Sequence, residues 1–291
     1  MNTLSKQSEP LAETLLVVGV GLLGGSIATA SRERGLAKHI IGVGRSEQRI
    51  NQAVAAGILD AGTTDLAKAA KQADLIIFCT PVDCIARDVI AVHPYLSESC
   101  IVTDVGSTKG EICQQVDVAL GKGKHQFIGS HPLAGSEKTG FEHSSSHLFE
   151  QAAVVITPQS ETPESRTELL VQFWTAIGAK IYLMSPEAHD KTLAMTSHLP
   201  HLVASALAAS VKEKDLPLAA TGYADTTRIA AGDPELWTSI FLQNSTAMLE
   251  ATQEFQQQLS TMIEAIKQGN QDHLAALLET GKQQRDSWKK K

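Results

Sequence analysis

Short apolar runs alternate with amphipathic stretches along the first 184 residues. The runs Leu15–Val18, His39–Val43, Asp74–Cys79 and Ile101–Asp104 are apolar almost throughout, as strands covered on both faces are. Leu23–Arg34 carries a helical pattern that Gly35 ends as a C-cap, and Ser46 is placed to cap a helix ending near Ala56–Gly57. Asp65–Gln72 reads as a short helix, and Ser107 opens another that runs to about Leu120. Gln126–Gly129 reads as a further strand. Ala153–Thr157, a helix from Thr162-Pro163-Glu164 through Ile177, and Lys180–Met184 make a second βαβ unit expected to extend the sheet. This order predicts an α/β domain over residues 14–184, built on a doubly wound parallel sheet.

The rhythm changes at Ser185-Pro186-Glu187, after which no strand pattern returns. Glu187–Lys212 reads as helix, interrupted or kinked at Pro200. Trp237, Phe241, Asn244, Met248, Ala251, Phe255, Leu259, Met262 and Ile266 recur every three or four residues and predict one long amphipathic helix. Residues 185–291 therefore read as an all-α domain. An apolar face of that length serves either the core or a subunit interface. Residues 1–13 are polar, lack the apolar centre of a signal peptide, and read as a disordered leader.

Composition narrows the class. The 291 residues suffice for two domains, and 43% hydrophobic with 20% charged residues is ordinary for a globular chain. A net charge of -7 argues against a nucleic-acid partner, and the one basic run, Lys289–Lys291, reads as a solvated tail. No apolar run reaches membrane-spanning length, so no membrane partner is expected. Cys79, Cys84, Cys100 and Cys113 form no C-x-x-C pair and read as small thiols in a reducing, cytoplasmic compartment.

The first apolar run ends in Gly19-Val20-Gly21-Leu22-Leu23-Gly24, a G-x-G-x-x-G turn between a strand and a helix. That context is the Rossmann-type site for a dinucleotide pyrophosphate. Gly19 permits the tight turn, Gly21 lets the backbone approach the phosphates, and Gly24 lets helix and strand pack closely. Leu22 and Leu23 open the helix whose free N–H groups face the anion. At the end of the second strand, where a carboxylate usually meets the ribose 2′-OH, the chain reads Gly42-Val43-Gly44-Arg45-Ser46. Arg45 and Ser46 suit a 2′-phosphate, which favours NADP over NAD. Glu47, one turn on, is the counter-argument, and Arg45 as a solvated charge is the simpler alternative. Thr80-Pro81 closes another strand at its carboxyl end, where the nicotinamide half belongs.

Further chemistry clusters at strand ends and in the helical half. Ser107 is either a helix N-cap or a substrate contact, and Lys109 is either solvated or faces an anion. His131 follows a strand and precedes a loop of small polar residues that includes Ser136 and Glu137; beside a cofactor cleft it is a proton-transfer candidate. His198 and His201 share a helix face unless Pro200 bends the turn, and with no third ligand at metal spacing no metal site is expected. Arg228, in a segment of small polar residues, suits a carboxylate ligand or forms an ion pair with Asp225 or Asp233.

With these residues in view the chain resembles the prephenate/arogenate dehydrogenases of tyrosine biosynthesis. Five segments carry the resemblance: GVGLLGGS (19–26), DVGSTKG (104–110), GSHPLAGSEKTG (129–140), EAHDKTLAMTSHLPH (187–201) and DTTRIAAGDPELW (225–237). The resemblance implies a Rossmann-type domain followed by a helical domain that makes a homodimer. The reaction it implies is oxidative decarboxylation of a cyclohexadienol, with hydride passing to NAD or NADP. His131 would then be the base at the ring hydroxyl, and Ser107 would orient that hydroxyl or His131. Arg228 would pair with a substrate carboxylate, His201 and Ser197 would line the ring-carboxylate side, and His189 would stand behind these groups. Ser136 and Glu137 would face the substrate side chain. Prephenate is favoured over arogenate by the Glu in that loop, and feedback inhibition by tyrosine stays open. The rivals are another two-domain hydroxy-acid dehydrogenase, with Lys191 as its catalytic lysine, and a cofactor-sensing regulator without turnover. The first leaves the His131 loop unexplained, and the second has no need of His131, His201 and Arg228 around one cleft.

Overall fold

Both faces of each central strand must be buried, and the structure divides them between two apolar clusters. The computed structural model describes residues 9–123, 125–135 and 138–288. Strands β1 (Ala12–Val18), β2 (Ala37–Val43), β3 (Ala61–Thr63), β4 (Leu75–Phe78) and β5 (Ile101–Asp104) form a parallel sheet in the order β3-β2-β1-β4-β5. Successive side chains of a strand point to opposite faces. Leu15 and Val17 accordingly join Ile27, Ile77, Phe149 and Trp174 on one side, while Leu16 and Val18 join Phe78, Ile85 and Val89 on the other. Helices α1 (Leu22–Glu33), α2 (Glu47–Ala55), α3 (Leu66–Ala70), α4 (Val82–Val92) and α5 (Gly110–Leu120) make the crossovers.

The second βαβ unit does not extend this sheet as expected. Strands β6 (Gly129–Pro132), β7 (Ala153–Thr157) and β8 (Lys180–Leu183) form a separate sheet, with β6 antiparallel to β7 and α6 (Glu164–Ala176) crossing between the parallel β7 and β8. The predicted strand at 126–129 is the joint: Val102 exchanges hydrogen bonds with Gln126 and Ile128, after which the chain leaves β5 and pairs with β7. β1 begins at Ala12, inside the stretch read as leader; residues 1–8 of that leader and the tail at 289–291 lie outside the described residues. β3 and α4 had no counterpart in the sequence reading.

The remainder is helical: α7 (Pro186–Leu193), α8 (Leu199–Ser210), α9 (Thr221–Thr227), α10 (Pro234–Gln243), α11 (Ser245–Lys267) and α12 (Gln271–Ser287). The bend expected at Pro200 takes the form of a π-helical turn, Ala194–His198, between α7 and α8. A proline removes one helical N–H and crowds the preceding turn, and a wider turn relieves both. The single long helix predicted across 237–266 is instead two, broken at Asn244 (φ −110°, ψ 32°). Met248 and Ala251 of its stripe are buried, whereas Leu259 and Ile266 are exposed. No residue of α12 is buried in the single chain.

Candidate active site

The glycine turn behaves as its spacing demands. Gly19 has φ +97°, and a Cβ there would lie 2.6 Å from the Cys79 carbonyl oxygen. A Cβ at Gly24 would meet the Gly19 oxygen at 2.2 Å, so only glycine lets α1 pack this close to β1. Gly21 is the opposite case: a Cβ there meets nothing within 4 Å, and as the N-cap of α1 it offers no side chain to the helix end. Open space over uncapped N–H groups is what a phosphate needs. A cavity of about 670 Å³ adjoins this turn, and Gly19, Gly21, Arg45, Ser46, Thr80 and Pro81 all line it. The buried Thr80 hydroxyl has no partner among the described residues. An orphan hydroxyl, a bare helix start and two polar residues after β2 fit a dinucleotide. Leu22, Leu23 and Gly24 do not line the cavity; they form the first turn of α1. Arg49 and Arg87, which the sequence reading did not select, do line it, held by Glu142 (3.0 Å) and Asp88 (2.9 Å).

The candidate reacting centre is built where β4 and β5 end beside β6. Phe78 and Asp104 are in register across β4 and β5, so the Thr80 end and the 104–110 loop lie side by side. The Asp104 carboxylate accepts from the Ser130 backbone N–H (3.0 Å) and the Gly106 N–H (2.9 Å), which ties β6 to the same corner. Lys109, fully buried, pairs with Asp104. It is not solvated, and the anion it faces is the chain's own Asp104 carboxylate. Ser107 is not the N-cap of α5; the helix starts three residues later, and its first N–H groups are capped from the other half of the chain. Lys109 N–H donates to Asp190 Oδ1 and Gly110 N–H to Asp190 Oδ2, each at 2.8 Å.

Asp190 also starts a relay. His189 Nδ1 lies 2.7 Å from Asp190 Oδ1, and His189 Nε2 lies 2.8 Å from His131 Nδ1. A carboxylate taking these bonds can only accept, so His189 carries its proton on Nδ1 and its Nε2 accepts from His131 Nδ1–H. That leaves His131 Nε2 as a bare lone pair, the form a base requires. Burial holds the His131 imidazole well below its usual range, with His189, Lys109 and His198 adding to the effect. Burial likewise lowers His189, against the opposing pull of Asp190, and lowers His198 to about 4.

These buried neutral histidines set a pH dependence of stability. The unfolded chain binds protons below about pH 6.5, while the native state refuses them until lower pH. Stability is therefore complete above about pH 6.5 and is lost as pH falls toward 4. Each such group contributes up to about 1.4 kcal/mol per pH unit in that window. Thermal melts should give a Tm that drops steadily below pH 6.5; a flat Tm between pH 6.5 and 5 would contradict this assignment.

On the helical side, His201 is buried and stacks on Trp237 with ring centroids 3.5 Å apart and planes 15° apart. Gly232 fits against both rings, where a Cβ would lie 2.7 Å from Trp237 Nε1. Ser197 sits half-buried in the π-helical turn. Arg228 is exposed and forms no ion pair with Asp225 or Asp233 among the described residues; Asp233 instead caps α10. Ser136 and Glu137 lie outside the described residues. Among the described residues no group of histidine, cysteine or acidic side chains could hold a metal, and the four cysteines are free thiols. The sequence reading missed Asp190 and Trp237, although both lie in the quoted segments; neither spacing nor residue type marks an aspartate as the cap of a distant helix.

Comparison with known proteins bears on this arrangement. The family description "Prephenate dehydrogenase, nucleotide-binding domain" matches residues 27–183, and "Prephenate dehydrogenase, dimerization domain" matches residues 185–280. The chain is 32% identical over 284 residues to a prephenate dehydrogenase of Bacillus subtilis, covering 95% of this chain and 76% of that one. It is similar to the Aquifex aeolicus prephenate dehydrogenase solved with hydroxyphenyl propionate and NAD+ (35% identity, TM-score 0.87, 98% and 99% covered). It is also similar to the Synechocystis arogenate dehydrogenase (34% identity, TM-score 0.84, 94% and 99% covered).

Proposed function

The chain belongs to the prephenate dehydrogenase family, and from that premise we propose that it converts prephenate to 4-hydroxyphenylpyruvate by oxidative decarboxylation, with arogenate as the alternative substrate. The observation that carries this reading is the Asp190–His189–His131 relay, which leaves His131 Nε2 unprotonated. A bound nicotinamide supplies the hydride acceptor for the ring carbon. His131 Nε2 takes the hydroxyl proton as that carbon becomes a carbonyl. The positive charge this places on the imidazole is offset through His189 by the Asp190 carboxylate, which compensates for its burial. The electrons of the carbon–carboxylate bond then enter the ring and reach the carbonyl oxygen, carbon dioxide leaves, and that oxygen takes the proton back from His131 to give a phenol. Ser107 orients the hydroxyl. Arg228 supplies a guanidinium for a substrate carboxylate, and His201, braced by Trp237, lines the ring side with Ser197.

The cofactor is a nicotinamide dinucleotide, NAD or NADP. Arg45 and Ser46 at the cavity wall favour NADP. Arg45→Ala should weaken NADP by about 1.5–3 kcal/mol, roughly ten- to a hundredfold, and leave NAD within twofold. Equal losses of both would remove the 2′-phosphate role. The C-terminal half carries the exposed apolar positions Leu249, Leu259, Ile263 and Ile266 on α11, and through these and α12 it forms a homodimer. Four free thiols suit a reducing cytoplasm. A steady-state comparison of prephenate, arogenate and a panel of hydroxy acids, each with NADP and NAD, tests the whole reading. Turnover with a hydroxy acid and with neither cyclohexadienol would overturn it.

A further inference from the structure

The sequence places Asn244 in an apolar stripe, yet the structure buries its amide at the junction of α10 and α11 and gives it two partners. Its Nδ2 donates to the Asp190 backbone oxygen at 2.8 Å and lies 3.2 Å from His198 Nδ1. The carbonyl can only accept, so the amide nitrogen faces it, and the second N–H of that nitrogen meets His198. His198 Nδ1 is then the acceptor, and its proton resides on Nε2. The preceding residue, Gln243, accepts from the buried Thr108 hydroxyl at 3.0 Å, beside Ser107. Two consecutive amides at one helix break thus hold both sides of the reacting centre: the loop after β5 and the α7 segment that bears the relay. A buried amide has few ways to satisfy its donors, and these two bonds fix it.

We propose that Asn244 is a positioning residue, which holds the main chain of the relay at Asp190 and fixes neighbouring His198 as the neutral Nε2–H tautomer. The assignment rests on the dehydrogenase reading for its effect on rate, but not for the tautomer itself. The charged and titratable groups that face His198 are Asp190 and His189 from α7 and His131 from β6; Trp237 from α10 meets its ring edge-on. A second proton on His198 would oppose the charge that develops on His131, and the Asn244 N–H held against Nδ1 disfavours that proton.

The test pairs ring-nitrogen NMR of the full-length protein with steady-state kinetics, for the parent, Asn244→Leu, Asn244→Asp and Gln243→Leu. In the parent, His198 should show an acceptor Nδ1 and a protonated Nε2 across the neutral range. Asn244→Leu should mix the tautomers and lower kcat tenfold or more, with KM for both substrates within threefold. Asn244→Asp places a carboxylate against Nδ1, so His198 should take up a proton at higher pH and the acid limb of kcat should move to higher pH than the parent's. Gln243→Leu should leave the His198 tautomer intact and lower kcat about threefold. A parent His198 protonated on Nδ1 would overturn the assignment, whatever the substrate proves to be. So would an Asn244→Leu spectrum and kcat that match the parent's. If the Asn244 variants do not fold, the parent spectrum alone decides the tautomer. A failure of the parent to oxidise either cyclohexadienol would count against the proposed reaction and leave the spectral result standing.

Discussion

His131→Asn should lower kcat by about a hundred- to ten-thousandfold, the usual contribution of a positioned acid–base group, while binding of the dinucleotide stays near the parent's. Asparagine is close in size and can still accept a bond through its oxygen, so it holds the ring hydroxyl. It cannot take the proton. The expected signature is a loss confined to kcat, with KM for prephenate changed no more than a few-fold. Because burial keeps the parent imidazole neutral, its rate should show no loss of base on the acid side until well below pH 6.5. Single-turnover measurement of cofactor reduction with saturating substrate is the direct check. Near-parental turnover in the variant would mean that the proton leaves by another route and that His131 is a packing residue.

Asp190→Asn should cost almost as much, although Asp190 lies two hydrogen bonds from His131 Nε2. Its carboxylate collects three donors: His189 Nδ1–H, Lys109 N–H and Gly110 N–H. An asparagine must place its NH2 either against the Gly110 N–H or in the Oδ1 position, which faces both His189 Nδ1 and the Lys109 N–H. If the NH2 faces Gly110, two donors oppose each other in a buried site, at about 1–3 kcal/mol. If it faces His189, the whole relay reverses. His189 then carries its proton on Nε2 and donates to His131 Nδ1, and His131 carries its own proton on Nε2, where the substrate needs a lone pair. The expected result is a kcat at least about a hundredfold lower and a Tm lower by roughly 2–10 °C. A variant that loses stability and keeps its turnover would show that Asp190 serves only as the cap of α5. One that keeps both would contradict the hydrogen-bond assignment altogether.

The two predictions differ in how far the sequence could have reached them. His131 stands beside glycines and small polar residues after an apolar run, which is enough to mark it as a candidate. Nothing local marks Asp190: it follows a histidine in an ordinary helical stretch, and its partners are 80 and 81 residues away along the chain. Lys109 is similar. As a residue type it belongs on the surface, and only the arrival of β6 and the Asp104 carboxylate explains its burial.

What the chain's own pattern determined was the local and periodic part. Apolar runs of strand length, glycines at the turn after β1 where a Cβ would clash, serine and aspartate at helix starts, and the strand–helix alternation all express short-range sterics and hydrogen bonding. From these came the parallel sheet as far as β1, β2, β4 and β5, the dinucleotide turn, the helical second half and the motifs that mark the family. Tertiary structure decided the rest. It split off the β6-β7-β8 sheet, because Gly129–Pro132 gains an antiparallel partner in β7 once the chain has passed Val102. It broke the long C-terminal helix at Asn244, where the buried amide meets the Asp190 carbonyl and His198 Nδ1. It also gave His131 a defined tautomer, because a proton's place on an imidazole depends on the acceptor at its far side. Those are all contacts between residues far apart in sequence, whose cost and gain appear only when the chain has closed on itself.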